Sequence, residues 1–103
     1  MTYANALTAL ADPTRRRIFE DLRGRPLSVT QLAKRQPVSR PAVSQHLRVL
    51  EAAHLVRAEA KGSHRFYSIR RDGLDELRAY LDSFWSDVLT AYSAEIGKRN
   101  KPN

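Results

Sequence analysis

Val38-Ser39-Arg40-Pro41-Ala42-Val43-Ser44-Gln45-His46-Leu47-Arg48-Val49-Leu50 has two faces at helical spacing. Val43, Leu47 and Leu50 fall at i, i+4 and i+7, with Ala42 and Val49 beside them, so one side can be buried. Arg40, Pro41, Ser44, Gln45 and Arg48 occupy the opposite side. Small and hydrogen-bonding side chains next to arginine suit a helix that enters a major groove and meets base edges. Taken alone, the segment would pass for an amphipathic surface helix. Its surroundings decide.

Immediately upstream, Ser28-Val29-Thr30-Gln31 has the form of a capping box, with serine at the N-cap and glutamine three residues later. It opens a helix that carries Val29, Leu32 and Ala33 inward. Gln36-Pro37 ends that helix, because the residue before proline avoids the α region. One short turn later Ser39 caps the next helix. Two short helices joined this tightly, the second with a groove-sized polar face, make a helix-turn-helix pattern. Further upstream, Thr2 to Leu10 reads as a helix with Tyr3, Leu7 and Leu10 on one face. Asp12-Pro13 restarts the chain as N-cap and first helical residue. The helix that follows buries Ile18, Phe19 and Leu22 and stops at Gly24. Its Arg15-Arg16-Arg17 run reads as a solvated face rather than a phosphate clamp.

Downstream of Ala53 the period changes from 3.6 to 2. Val56, Ala58 and Ala60 alternate with Arg57, Glu59 and Lys61, Gly62-Ser63 turns, and His64 to Ile69 is rich in aromatic and β-branched residues. This is a β-hairpin with a basic tip. Asp72-x-x-Asp75 then starts a long helix running to about Gly97. Leu74, Leu77, Leu81, Phe84 and Val88 form one stripe, and Trp85, Leu89, Tyr92 and Ile96 form its neighbour. So wide an apolar face predicts a dimer interface built with the first helix. Its expected residues are Tyr3, Leu7, Leu10, Leu81, Phe84, Trp85, Val88, Leu89 and Tyr92.

The chain has 103 residues and a net charge of +7, which predicts one domain with an anionic partner, either nucleic acid or a membrane surface. Residues 13–71 hold 14 Lys/Arg against 4 Asp/Glu, whereas residues 72–97 hold 6 acids against Arg78 alone. Positive charge is thus concentrated on the helix-turn-helix and hairpin, and the last helix is acidic. The expected domain covers 1–97, followed by a basic, disordered tail at 98–103. Cysteine is absent, which removes disulfides, thiolate metal sites and cysteine nucleophiles. No apolar run approaches the roughly 18 residues needed to span a bilayer, and the start lacks a secretory signal pattern. A cytoplasmic protein is the expectation.

Together, Leu10-Ala11-Asp12-Pro13-Thr14-Arg15-Arg16, the Ser-x-Pro-Ala-Val-Ser-Gln-His-Leu-x-x-Leu of residues 39–50, Leu55-Val56 and the Gly62…Tyr67-Ser68 hairpin resemble the ArsR-type winged-helix repressors. The resemblance spans roughly residues 5–95. It implies a mainly α winged helix-turn-helix of order ααααββα, a homodimer through first and last helices, and a near-palindromic operator, often in the protein's own promoter. Carried over position by position, it marks Arg40, Pro41, Ser44 and Gln45 as base-contacting candidates, four residues that the helical periodicity selects independently together with Arg48. Two departures stand out. Metal-sensing members carry a Cys-x-Cys-type pair before the turn or Asp/His sets on the last helix. Here the first stretch is Gln31-Leu32-Ala33-Lys34-Arg35, and the last helix has no histidine. His54 stands where the family usually places a glycine that forms a left-handed C-cap.

The full set of DNA-contact candidates is Ser28, Thr30, Ser39, Arg40, Pro41, Ser44, Gln45, His46, Arg48, Lys61, Ser63, His64 and Arg65. Ser28 and Thr30 sit at a helix N-terminus suited to a phosphate, a role that can coexist with plain capping. Lys61, Ser63, His64 and Arg65 form a wing that reaches a neighbouring minor groove or its phosphates. Arg40 and Arg48 could each grip guanine or a phosphate. His46, His54 and His64 lack the spacing of a helical zinc pair, so no metal is expected. Asp75, Asp82, Asp87 and Glu95 read as a solvated helix face. Ser44 and His46 point in different directions on one helix, so no catalysis and no cofactor is expected. The expected function is a dimeric, sequence-specific transcriptional repressor with double-stranded DNA as partner. The alternatives are the same fold released by a metal or organic inducer, and a winged helix used on RNA or protein.

Overall fold

The computed structural model describes residues 3–100, with side chains from 5 to 97. Helix α1 (Tyr3–Ala11) is followed at once by α2 (Pro13–Asp21). Asp12 separates them as an extended N-cap whose carboxylate accepts from the Arg15 backbone N–H at 2.8 Å. That bond, ahead of the opposing effect of burial, holds the Asp12 carboxyl below the usual aspartate value of 3.8. The cap's contribution is therefore complete above that value and lost only as the pH falls through the lower folded one. Strand β1 (Leu27–Ser28) leads into α3 (Val29–Ala33), and α4 (Arg40–Ala52) follows after a turn. The hairpin is β2 (Val56–Lys61) and β3 (His64–Ile69), and α5 (Arg71–Asn100) closes the chain.

β1 is an element that the sequence pattern does not announce. It pairs antiparallel with β3, Leu27 opposite Tyr67 and Ser28 opposite Phe66, giving a three-stranded sheet of order β1-β3-β2. Two residues are too few to show an alternation, and they form a strand only because the edge of β3 is there to pair with. β2 and β3 run in register from Val56 opposite Ile69 to Lys61 opposite His64. The expected inward alternation on β2 fades towards the tip: Val56 is buried, Ala58 half-buried and Ala60 exposed.

Ile18, Leu27, Leu32, Val43, Leu47, Leu50, Leu55 and Val56 are the fully buried centre, with Ala6 and Ala9 of α1 packed on it. The three residues Val43, Leu47 and Leu50 thus form the inner face of α4, as their spacing predicts. α1 reaches the core through its alanines. Its Leu7 stays exposed, while Leu10 packs partly against the core.

The end of α4 fixes how the helix meets the sheet. Leu55 N–H donates to the Leu50 carbonyl and His54 N–H to the Glu51 carbonyl, each at 3.0 Å, with His54 at φ 62°. This is a Schellman cap with Leu55 and Leu50 both buried, and histidine occupies the left-handed position that glycine fills at least cost. His54→Gly is accordingly expected to stabilise the chain by about 0.5–1 kcal/mol, read as a raised denaturant midpoint. An unchanged or lower midpoint would show that the histidine ring contributes packing that offsets its backbone strain.

α5 runs to Asn100, three residues past the boundary expected at Gly97. A lone glycine costs a helix only about 1 kcal/mol, which does not stop one this long. Residues 101–103 of the expected tail lie outside the described residues. The distal half of α5 projects from the body, which gives the molecule a 73 Å long axis against 25 and 22 Å.

Candidate nucleic-acid interface

Ser39 starts α4 by accepting the Ala42 N–H at 3.3 Å, with Pro41 in the first turn. That cap fixes the rotation of the helix, so Arg40, Pro41, Gln45 and Arg48 are exposed and Ser44 half-buried while the opposite side is fully enclosed. Arg48 Nη1 donates to Gln45 Oε1 at 3.0 Å, so the two exposed side chains lie along the helix as a pair. Ser44 shares a shallow depression with Arg40, Pro41 and Val29, at the junction with α3.

The capping box at α3 is complete. Ser28 Oγ accepts from Gln31 N–H at 3.2 Å, and Gln31 Oε1 accepts from Ser28 N–H at 2.9 Å. Ser28 is buried, so its hydroxyl serves the cap. Thr30, half-buried, is the candidate of that pair nearer the surface.

The wing tip is Gly62-Ser63 between the Lys61–His64 pair, with positive φ at Gly62 alone of the two, the pattern of a two-residue II′ turn. Lys61, Ser63, His64 and Arg65 are all exposed. Alternation puts Arg65 on the face of buried Tyr67, which packs on the helices, and Lys61 and His64 on the face of Phe66. The His64 ring meets Phe66 edge-on at 6.4 Å, which steadies the approach to the tip.

Arg16 and Arg17 of α2 are exposed, as expected of a solvated face, and Arg15 is half-buried, but the run also has structural roles. Arg15 Nε donates to the Ala9 carbonyl at 2.6 Å and Arg16 Nη1 to the Leu10 carbonyl at 3.0 Å, satisfying the open C-terminus of α1. Arg17 Nε donates to Gln36 Oε1 at 3.4 Å, and Gln36 Nε2 donates to Asp21 at 2.7 Å. Gln36, buried, therefore pins the turn between α3 and α4 onto α2. Sequence reasoning misses these roles, because each partner is set by the packing of helices. It also misses that His46 turns back from α4 towards Asp12 and Arg15. Beyond the hairpin, Arg57 is exposed and Arg70 grips Asp72 with two nitrogens, a pairing that lowers the Asp72 carboxyl and raises the guanidinium.

His46, His54 and His64 do not converge. Among the described residues no three histidine, aspartate or glutamate side chains come together as a metal site. Nor is any helix among them long and apolar enough to cross a membrane.

Residues 10–59 match the family described as a helix-turn-helix domain. The HTH-type transcriptional regulator Rv2034 of Mycobacterium tuberculosis is 52% identical over 91 residues, which cover 88% of this chain and 85% of that protein. The transcriptional repressor SdpR of Bacillus subtilis is 32% identical over 72 residues, covering 70% and 80%. Among solved structures, one described as a possible transcriptional regulator for arsenical resistance aligns at a TM-score of 0.72 with 45% identity, over 86% of this chain and 93% of that one. An ArsR-like transcriptional regulator from Rhodococcus sp. RHA1 aligns at 0.79 with 29% identity, over 98% and 94%. The chain belongs to the ArsR-type winged helix-turn-helix transcriptional regulators.

Proposed function

We propose that this regulator is a cytoplasmic homodimeric repressor that places α4 of each protomer in successive major grooves of a near-palindromic operator, its own promoter among the targets. One observation carries the reading. Arg40, Pro41, Gln45 and Arg48 stand exposed on the side of α4 turned away from buried Val43, Leu47 and Leu50, and a basic hairpin stands beside it. Ser39, Ser44 and Thr30 complete the reading side. Lys61, Ser63, His64 and Arg65 take the flanking phosphates or minor groove. The two α4 helices then lie about 34 Å apart, one turn of DNA. The concentration of positive charge on residues 13–71 supports the same placement, since the acidic α5 is kept from phosphate.

Base reading and phosphate binding separate in titrations of the protein's own upstream DNA against random duplex. Arg40→Ala and Gln45→Ala are expected to lose about 1–3 kcal/mol on the operator and little on random DNA. Arg65→Ala should weaken both alike and reduce the slope of log K against log salt by about one. Equal losses on both duplexes for all three variants would overturn the assignment of α4 as the reading helix.

A further inference from the structure

His46 follows Gln45 on the flank of α4, and its side chain keeps 22% of its surface open. Its Nδ1 lies 3.5 Å from Arg15 Nη1 and 4.0 Å from Asp12 Oδ2. Neither partner is free to wander. Arg15 is anchored through Nε on the Ala9 carbonyl, and Asp12 is committed to the cap of α2. A guanidinium has donors and no acceptor, and the Asp12 carboxylate at 4.0 Å lies beyond hydrogen-bond reach, so in the contact with Arg15 the ring nitrogen accepts. The ring proton is then on Nε2. Nε2 lies at the far edge of the ring, where no partner stands among the described residues. Among the described residues no buried side-chain nitrogen or oxygen is left without one, so Nε2 opens to solvent.

We propose that Arg15 acts as a positioning residue that holds His46 in the Nε2–H tautomer and aims that N–H at a phosphate bordering the major groove. The inference rests on α4 being the helix that enters the groove. At one residue past Gln45, His46 is turned about a quarter of the way round the helix from the reading side, where the sugar–phosphate wall stands. The contact is a neutral donor on an anion. It adds affinity without sequence preference and displaces no counterion of its own. It also ties α1, through the Ala9 carbonyl and Arg15, to the helix that reads DNA.

Two substitutions divide the ring into its halves. The oxygen of His46→Asn replaces Nδ1 and keeps the bond to Arg15, but nothing reaches the Nε2 position. The amide nitrogen of His46→Gln reaches that position. The probe is a random-sequence duplex at low salt, with the full chain and its thermal midpoint as control. His46→Gln is expected to bind within about threefold of the unaltered protein, and His46→Asn about tenfold or more weakly, with the midpoint kept and the salt slope unchanged in both. Arg15→Met should lose part of the same affinity, and the double variant with His46→Asn should be no weaker than His46→Asn alone. Nitrogen NMR of the imidazole reads the tautomer without DNA. A proton on Nδ1, full binding by His46→Asn, a salt slope lowered by about one, or additive losses with Arg15→Met would each overturn the proposal. If the unaltered protein binds no duplex, the reading of α4 falls first, and the tautomer measurement still decides the role of Arg15.

Discussion

Alanine at Gly73 is expected to destabilise the chain by about 3 kcal/mol or more, the upper end of overpacking costs. A Cβ at this position would stand 1.8 Å from the His54 carbonyl oxygen and 2.8 Å from its carbon. Both are backbone atoms, so no rotamer change relieves the clash. The carbonyl cannot retreat easily either. His54 is held at positive φ inside the cap that ends α4, and the next carbonyl, of Leu55, accepts the Arg70 N–H at 2.8 Å. Relief requires α5 to move off the body or the end of α4 to shift. Gly97→Ala is the control: nothing lies within 4 Å of an added Cβ there, so removing a helical glycine should stabilise by up to about 1 kcal/mol. Urea midpoints check both. Equal midpoints for Gly73→Ala and the unaltered chain would mean that α5 does not approach His54 this closely.

That contact shows where sequence reading reaches and where it stops. The caps at Asp12, Ser28 and Ser39 are local bonds over three residues, and each forms as its residue types predict. The two faces of α4 follow from periodicity, and His54 is recognisable as a left-handed position because it follows the last helical residues of α4 in a family that places glycine there. Gly73 carries only a weak signal, a glycine in the first turn of a helix. Its partner is set by how α5 folds back on the end of α4. The partners of the α2 arginines are hidden for the same reason: composition reads the run as solvated, which Arg16 and Arg17 are, but the neighbouring helix end also makes caps of Arg15 and Arg16. In the candidate site the exposed residues of α4 and the wing were readable singly, whereas the grouping of Asp12, Arg15 and His46 needs the packing of α2 on α4.

Glutamate at Trp85 or Leu89 is expected to leave a folded monomer that binds the operator 10²–10⁴-fold more weakly. Six of the large exposed apolar side chains lie on α5, from Leu81 at 49% to Trp85 at 63% exposure, and Leu7 of α1 adds to them at 41%. Tyr3 belongs to the expected surface, but its side chain lies outside the described residues. Because these side chains already face solvent in the single chain, a charge among them breaks no internal contact. In a two-fold dimer every such residue is buried twice. Bringing the open part of each out of water yields on the order of 10 kcal/mol before the cost of association. One glutamate per protomer puts two carboxylates into that interface without partners, at several kcal/mol each. The loss on DNA follows from geometry. A dimer binds its second half-site intramolecularly, a gain of roughly 10²–10⁴ that a monomer forfeits, while the contacts of each α4 are untouched. The variants should therefore keep their affinity for an isolated half-site. Asp87→Lys, on the opposite side of α5, should remain dimeric. Light scattering gives the mass, circular dichroism the helix content, and titration of full and half operators the two affinities. If Trp85→Glu and Leu89→Glu remain dimers, the chains associate elsewhere, and the exposed Val49 beside the groove between α1 and α4 becomes the surface to alter next.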